Sequence, residues 1–410
     1  MRILYLSHRL PYPPDKGEKI RAYHQILHLA RRHEVHVVSF AEEPRDGEHC
    51  AVLQRHCASV EIVRRSRRAA ERAAIRALLS RRPLSVAAYD SGEFHRRVEA
   101  RCRSHPPDVS LVYTVVMAPY AEHLGMPRLI DFVDADSEKW RLYGERFRPP
   151  LSWLYGLEAD RLGGFEAHVA GSFEHSAFVS EAEARVLFSR VPGLRHTVIP
   201  MGVDLDYFHP SGPPAGTAGS PVLVFVGVMN YFPNADAAAW FAAEVLPLVR
   251  DEVPDAEFRI VGRYPTRAVR ALARRPGVSV TGAVPDVRPH LADAAAAVAP
   301  FRIARGVQSK VLEAMASGLP VAGTHLAFQG LTARRDDGVR AADTPEALAG
   351  EIIPLLRDPA LRRAVGAEAR RYVERNHRWE DAGLLLESTL EKLAAARYGS
   401  STRDKGPCSP

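Results

Sequence analysis

The chain opens on a short apolar run, Arg2 to Ser7, and runs of the same kind return at Glu34 to Phe40, Val60 to Val63, Val109 to Tyr113, Arg128 to Val133 and Ser176 to Val179. Short runs rich in Val, Ile and Leu, with no strict alternation, predict strands buried on both faces. Between them lie segments of helical period. Glu18 to Arg31 carries an apolar stripe of Ile20, Tyr23, Leu27 and Ala30, a long helical region reaches about Ala170, and Ser180-Glu-Ala-Glu183 has capping-box spacing. The segment from Val198 to Phe208 and a Gly/Pro/Ser-rich stretch from Ser211 to Pro221 then break the pattern.

Beyond the break the pattern restarts. Strands are expected at Val222 to Gly227, Phe258 to Gly262, Val278 to Thr281 and Ala295 to Ala299. Helices are expected at Asn234 to Val249, near Thr266 to Ala273, and after Asp286 as a cap; from Asp343 the chain is helical in pieces, ending with Trp379 to Ala395. Strands alternating with helices imply right-handed crossovers and parallel sheets. The expected organisation is two doubly wound α/β halves, 1–203 and 204–378, with a cleft between them and a disordered tail at 396–410.

Size and composition agree with this and add limits. A chain of 410 residues with 46% hydrophobic and 25% charged residues has material for two cores and is neither fibrous nor disordered. The net charge of +6 favours an anionic partner without naming one, and nothing points to nucleic acid. Cys50, Cys57, Cys102 and Cys408 form no metal-ligand spacing, which fits a reduced, cytoplasmic setting without a structural metal. No run approaches the roughly 18 apolar residues of a membrane span, so any membrane contact is expected to be peripheral, at the inner face of the plasma membrane.

The densest chemistry lies between Ala304 and Val321. Gly306 permits unusual backbone angles, Ser309 is placed to cap a helix, Gly318 to end it in the left-handed conformation, and Pro320 to forbid its continuation. Val311, Leu312, Ala314 and Met315 would face a core, leaving Lys310, Glu313 and Ser317 on the opposite face. Helix N-terminal N–H groups and an ammonium suit phosphates, and a carboxylate one turn on suits sugar hydroxyls. The plainer reading is a solvated ion pair worth about 0.2–0.5 kcal/mol. Two features favour a ligand: the helix runs into an apolar strand, and of 55 basic residues only six are lysines, at 16, 19, 139, 310, 392 and 405.

Three other stretches carry weaker signals. The loop from His8 to Gly17, with Lys16, Lys19 and Arg21 around it, follows a strand and opens a helix; it is an anion cradle or merely a turn, and it lacks the dinucleotide fingerprint. Asp134, Asp136 and Ser137 follow the strand ending at Val133, where ligands of open α/β sheets bind. A divalent metal is conceivable there, but a helix cap for one of them and a substrate hydroxyl for another are preferred. From Arg64 to Arg82 the chain is arginine-dense, with Ile75, Leu78 and Leu79 on one side. A solvated surface helix is the plainer account, and an amphipathic helix on anionic lipid is the alternative.

Taken together, the loop ending in Gly17, Ile199-Pro-Met-Gly-Val-Asp204, Ile260-Val-Gly-Arg263 and Lys310-Val-Leu-Glu-Ala-Met-Ala-Ser-Gly-Leu-Pro-Val resemble the family 4 retaining glycosyltransferases of the GT-B fold. Within that family, His8 to Gly17, Asp131 to Trp140 and Ala304 to Lys310 are most similar to bacterial sugar transferases of PEP-CTERM/exosortase exopolysaccharide loci. The resemblance implies a nucleotide-diphosphate sugar on the C-terminal domain, a glycan or lipid-linked acceptor on the N-terminal domain, a last helix crossing back to the first domain, and no metal or other cofactor. On that mapping Lys310 meets the diphosphate and Glu313 the ribose. Gly17, Gly227, Arg263, Gly306, Val307 and Ser309 complete the donor site, and Lys19, Arg21, Asp134, Ser137 and Gly202 line the acceptor side.

Two departures qualify the mapping. Arg305 stands where the family commonly has the first glutamate of Glu-x7-Glu, and Gly227 is followed by Val-Met-Asn-Tyr-Phe-Pro-Asn rather than the usual basic pair. Arg305 is therefore expected to replace a cation lost from that loop. The competing function is a non-catalytic GT-B protein that binds a nucleotide sugar or acts as a scaffold.

Overall fold

The computed structural model describes residues 1–210 and 221–401; the stretch read as a linker, save Pro221, and the tail from 402 lie outside the described residues. The chain forms two units, Met1–Pro200 together with the chain from Glu380, and Met201–Trp379. Among the described residues no helix is long and apolar enough to cross a membrane.

The first unit is built on a seven-stranded parallel sheet of β1 (Arg2–Ser7), β2 (Glu34–Ala41), β3 (Ser59–Arg64), β4 (Val109–Tyr113), β5 (Arg128–Val133), β6 (His175–Phe178) and β7 (His196–Val198), in the order β3-β2-β1-β4-β5-β6-β7. Alternate residues of β1 enter two cores. Ile3 and Tyr5 pack with Ile26 and Leu29 and with Ala382, Leu386, Leu390 and Ala394 of the last helix, whereas Leu4 and Leu6 join Phe40, Phe94 and Leu162 on the other face. Burial on both faces is why these strands read as unbroken apolar runs. That last helix, Trp379–Ser401, continues past its expected end because Lys392-Leu-Ala-Ala-Ala-Arg contains no breaker. A helix at Asp46–Gln54 was not foreseen.

The second unit carries a six-stranded parallel sheet of β8 (Val222–Val226), β9 (Glu257–Val261), β10 (Val278–Gly282), β11 (Ala296–Ala299), β12 (Val321–Gly323) and β13 (Val339–Ala341), in the order β10-β9-β8-β11-β12-β13. Both sheets are doubly wound and Rossmann-like, as the pattern predicts. The single helix expected from Asn234 to Val249 is instead Phe232–Trp240, a π-turn at Phe241–Val245 and Leu246–Glu252. Pro247 has no N–H to give and its ring crowds the carbonyl four residues back, so the ladder widens just before it.

Candidate functional site

In each sheet the strand order reverses beside its first strand, between β1 and β4 and between β8 and β11, and ligands of open α/β sheets sit at the carboxyl ends of such strands. In the second unit that edge is formed by the residues after β8, β9 and β11. Gly227 N–H donates to Val261 O at 2.9 Å and Met229 N–H to Arg263 O at 2.9 Å, drawing the β8 loop onto the end of β9. Gly262, at φ +152°, allows this approach, since a Cβ there would stand 1.7 Å from Gly227 O. A Cβ on Gly227 would in turn lie 2.8 Å from Asn234 Nδ2. The two glycines thus make room for Asn234, which is 3% exposed.

In this unit, Asn234 is a site residue that the sequence pattern placed only as a helix start. Its Nδ2 donates to Val228 O at 2.9 Å, which leaves Oδ1 to accept from Lys310 Nζ at 2.7 Å. The ammonium also lies 4.8 Å from the Phe301 ring centroid and 5.8 Å from that of Phe225. Burial pulls the Lys310 ammonium down to about 8, with Glu313 opposing the shift, and pushes the Glu313 carboxyl up to about 7, with Lys310 opposing it. An ammonium pulled down and a carboxyl pushed up by burial at a switch point mark a candidate functional site, unlike a solvated surface ion pair. The helix Ser309–Ala316 beneath them ends as its sequence predicts: Gly318, at φ +74°, donates to Met315 O, and Leu319 to Ala314 O, which is a Schellman ending.

The loop before that helix is fixed from two sides. Gln308 Nε2 donates to Arg305 O and Gln329 Nε2 to Ala304 O, each at 2.9 Å, and Gly306 takes φ +61° with its carbonyl against Gly330. Arg305, Val307 and Ser309 are half-buried in or beside this loop. Ser309 does not cap the helix: Gln308 holds the capping position without a side-chain bond, and Ser309 already lies in the first turn. Arg263, after β9, is half-buried with its guanidinium 5.6 Å from the Tyr264 ring centroid. Lys310, Glu313, Arg305, Gly227, Arg263, Gly306, Val307 and Ser309 therefore all belong to the second unit, on or beside the carboxyl ends of its central strands.

The first-unit candidates divide. Gly17 begins the helix Gly17–Ala30, and Lys19 in its first turn is 4% exposed with no hydrogen bond or ion pair among the described residues. Asp134, just past β5, keeps Oδ1 buried without a hydrogen-bond partner, and burial, reinforced by Glu183 and Asp136, pushes its carboxyl up to about 8. These remain available to a ligand. Arg21 does not: it is 1% exposed, its Nε donates to Asp131 Oδ2 at 2.9 Å, and its Nη1 donates to the carbonyls of Ile199 and Pro200.

Ser137 is likewise consumed internally, with its N–H donating to Glu166 Oε1 at 3.0 Å and its hydroxyl to Glu166 Oε2 at 2.5 Å. The cap expected from Asp136 or Ser137 is not made, and Glu183 accepts instead from Ala135 N–H at 2.9 Å. Gly202 belongs to the second unit, where a Cβ would stand 2.4 Å from the Trp379 ring, so its missing side chain serves packing.

The structure adds His8, Thr114 and Val133 to the first unit's edge. Thr114 and Val133 are β-branched yet take φ of +70° and +65°, and such strain at strand ends collects at functional sites. Thr114 Oγ1 lies 3.3 Å from His8 Nδ1, and burial, then Arg9, pulls the imidazole down to about 4, so His8 is neutral at physiological pH.

Together the two doubly wound units define the GT-B fold, and comparison with known proteins agrees. Residues 220–358 match the family described as Glycosyl transferases group 1. Sucrose-phosphate synthase from Thermosynechococcus elongatus is similar with a TM-score of 0.72 at 17% identity, covering 97% of this chain and 100% of that chain. Anabaena HepE, solved in complex with UDP, has a TM-score of 0.68 at 16% identity, covering 96% and 100%. In sequence, 239 residues are 29% identical to the GDP-mannose-dependent alpha-(1-6)-phosphatidylinositol dimannoside mannosyltransferase of Mycobacterium tuberculosis, covering 54% of this chain and 58% of that protein. The chain thus spans little more than half the length of the curated relative it matches.

Proposed function

We propose that the protein is a retaining glycosyltransferase that moves a sugar from a nucleotide-diphosphate donor to a glycan or lipid-linked acceptor in exopolysaccharide biosynthesis, of the kind found in PEP-CTERM/exosortase loci. The observation that carries the reading is the Lys310 ammonium held by Asn234 at the β8/β11 switch point, with Glu313 one turn on. In transfer with retention, the bond from the anomeric carbon to the phosphate oxygen breaks and a bond to the acceptor hydroxyl oxygen forms on the same face, while the hydroxyl proton passes to the leaving phosphate. Lys310, Arg305 and the N–H groups of the Ser309–Ala316 helix meet the charge that grows on that phosphate, so the proposed reaction needs no metal. Lys19 and Asp134 serve the acceptor.

The similar proteins bracket the donor without fixing its base, since one is named for GDP-mannose and another was solved with UDP. The test is a thermal-shift panel of UDP-, GDP- and ADP-sugars, then nucleotide release with a lipid-linked acceptor in the presence of EDTA and the anomeric configuration of the product by NMR. Stabilisation by one nucleotide sugar, metal-independent release and a retained anomer are expected. Donor binding without release of nucleotide for any acceptor would leave a scaffold instead. Within this reading Arg305→Ala is expected to raise the donor KM about tenfold, as loss of one charge-assisted phosphate contact does. Unchanged donor affinity and turnover would remove Arg305 from the site.

A further inference from the structure

Nine large apolar side chains are exposed on the described residues of the first unit: Ile75, Leu78, Leu79, Leu151, Trp153, Leu154, Leu157, Leu384 and Leu385. The first seven come from two segments that the fold joins. The helix Arg67–Ala77 ends against the helix Leu151–Ser172, where Arg161 Nη1 donates to Ala77 O at 2.8 Å and Nη2 to Leu78 O at 3.4 Å. Glu158, 3% exposed, accepts from Leu84 N–H at 2.6 Å and Ser85 N–H at 2.9 Å. Glu158 and Arg161 thus clamp the 77–85 segment to the long helix. Leu154 and Leu157 lie within two turns of that clamp, toward the start of the long helix, and Leu151 and Trp153 form its first turn. Leu79 is 95% exposed and Trp153 72%, and large apolar side chains exposed in a group rather than singly mark an interaction surface.

Around this apolar ground stand exposed arginines at 64, 67, 68, 72, 76, 81, 82, 146 and 148. From Arg64 to Arg82 there are eight arginines and one acidic residue, Glu71. Large apolar side chains with a tryptophan, ringed by cations, match a surface that is apolar below and anionic above. A second protein chain would need acidic residues set against this ring, whereas a bilayer of anionic lipid supplies both features at once.

We infer that this face of the first unit docks on the surface of an anionic phospholipid bilayer, with Leu79 and Trp153 entering the headgroup region and the arginines lying over the lipid phosphates. The inference rests on the surface alone and stands or falls independently of the transferase reading. It selects the membrane account of the Arg64 to Arg82 stretch over the solvated helix, because the structure adds a second apolar segment that the sequence does not place beside it.

The experiment is flotation of the full chain with vesicles of phosphatidylcholine alone and with about one third phosphatidylglycerol, at low and high salt, with tryptophan emission recorded in parallel. Binding is expected only to the anionic vesicles and to weaken at least tenfold as salt rises through the range where Debye screening takes hold. Trp153→Phe is expected to remove most of the blue shift on binding, and Leu79→Glu/Trp153→Glu and Arg72→Glu/Arg76→Glu each to weaken binding at least tenfold with unchanged melting temperatures. No binding to anionic vesicles, equal binding to neutral ones, or a concentration-dependent dimer abolished by Leu79→Glu/Trp153→Glu would each overturn the proposal.

Discussion

Lys310→Ala is expected to lower turnover of the nucleotide sugar by roughly 10²–10³-fold at neutral pH, the usual cost of removing one fixed donor from a developing oxyanion. The fold should not suffer. Burial holds the folded-state pKa of Lys310 near 8, below that of an unfolded lysine, so carrying the charge costs stability in full at pH below 8, and that cost fades as the pH rises from about 8 and is gone above the unfolded value. Removing the ammonium relieves that cost but leaves Asn234 Oδ1 without its donor and Glu313 without its cation, so the two effects oppose and the melting temperature at pH 7 should change little. Wild-type kcat/KM should decline as pH rises through about 8, where the ammonium loses its proton, and the variant should lose that limb. Lys310→Arg is not expected to restore activity, because a planar guanidinium does not reproduce one compact donor held between Asn234 and the Phe301 ring. Wild-type turnover in Lys310→Ala, measured by nucleotide release, would sink the proposed role.

Much of this was legible in the sequence because it depends on local order. The strands are buried on both faces and so appear as apolar runs, and Gly318 with Pro320 marks the end of the Lys310 helix through backbone angles that few other residues take. What was not legible is pairing at long range. Asn234 lies 76 residues from Lys310, and its value as a partner appears only when Gly227 and Gly262 bring the β8 loop onto β9. The caps on the Asp136–Arg146 helix come from Glu183 and Glu166, whose places no local rule supplies. The same limit misread Arg21 and Ser137. A basic residue and a hydroxyl near strand ends look like ligand groups until their partners on distant strands and helices are seen.

Arg21 therefore yields a stability prediction of the other kind. Arg21→Met is expected to destabilise the first unit by about 3–5 kcal/mol, since breaking a buried pair from one side leaves the other charge uncompensated. Asp131 is 0% exposed, and besides Arg21 it accepts from Gln25 Nε2 at 2.7 Å and from Val133 N–H at 3.0 Å. Gln25 in turn accepts from the Tyr5 hydroxyl at 2.7 Å, so the network ties the first helix to β1 and β5 and to the chain leaving β7. Asp131→Asn in the Arg21→Met background removes the stranded charge while keeping an acceptor for Gln25, and should recover more than 1 kcal/mol, the non-additivity expected of residues in one network. Urea unfolding should record this in the transition of the first unit. Nucleotide binding should persist, because Lys310, Glu313, Asn234 and Arg305 belong to the second unit. If Arg21→Met kept its stability and lost only acceptor use, the residue would be a ligand group after all, and the burial of its guanidinium against Asp131 would have to open in the working protein.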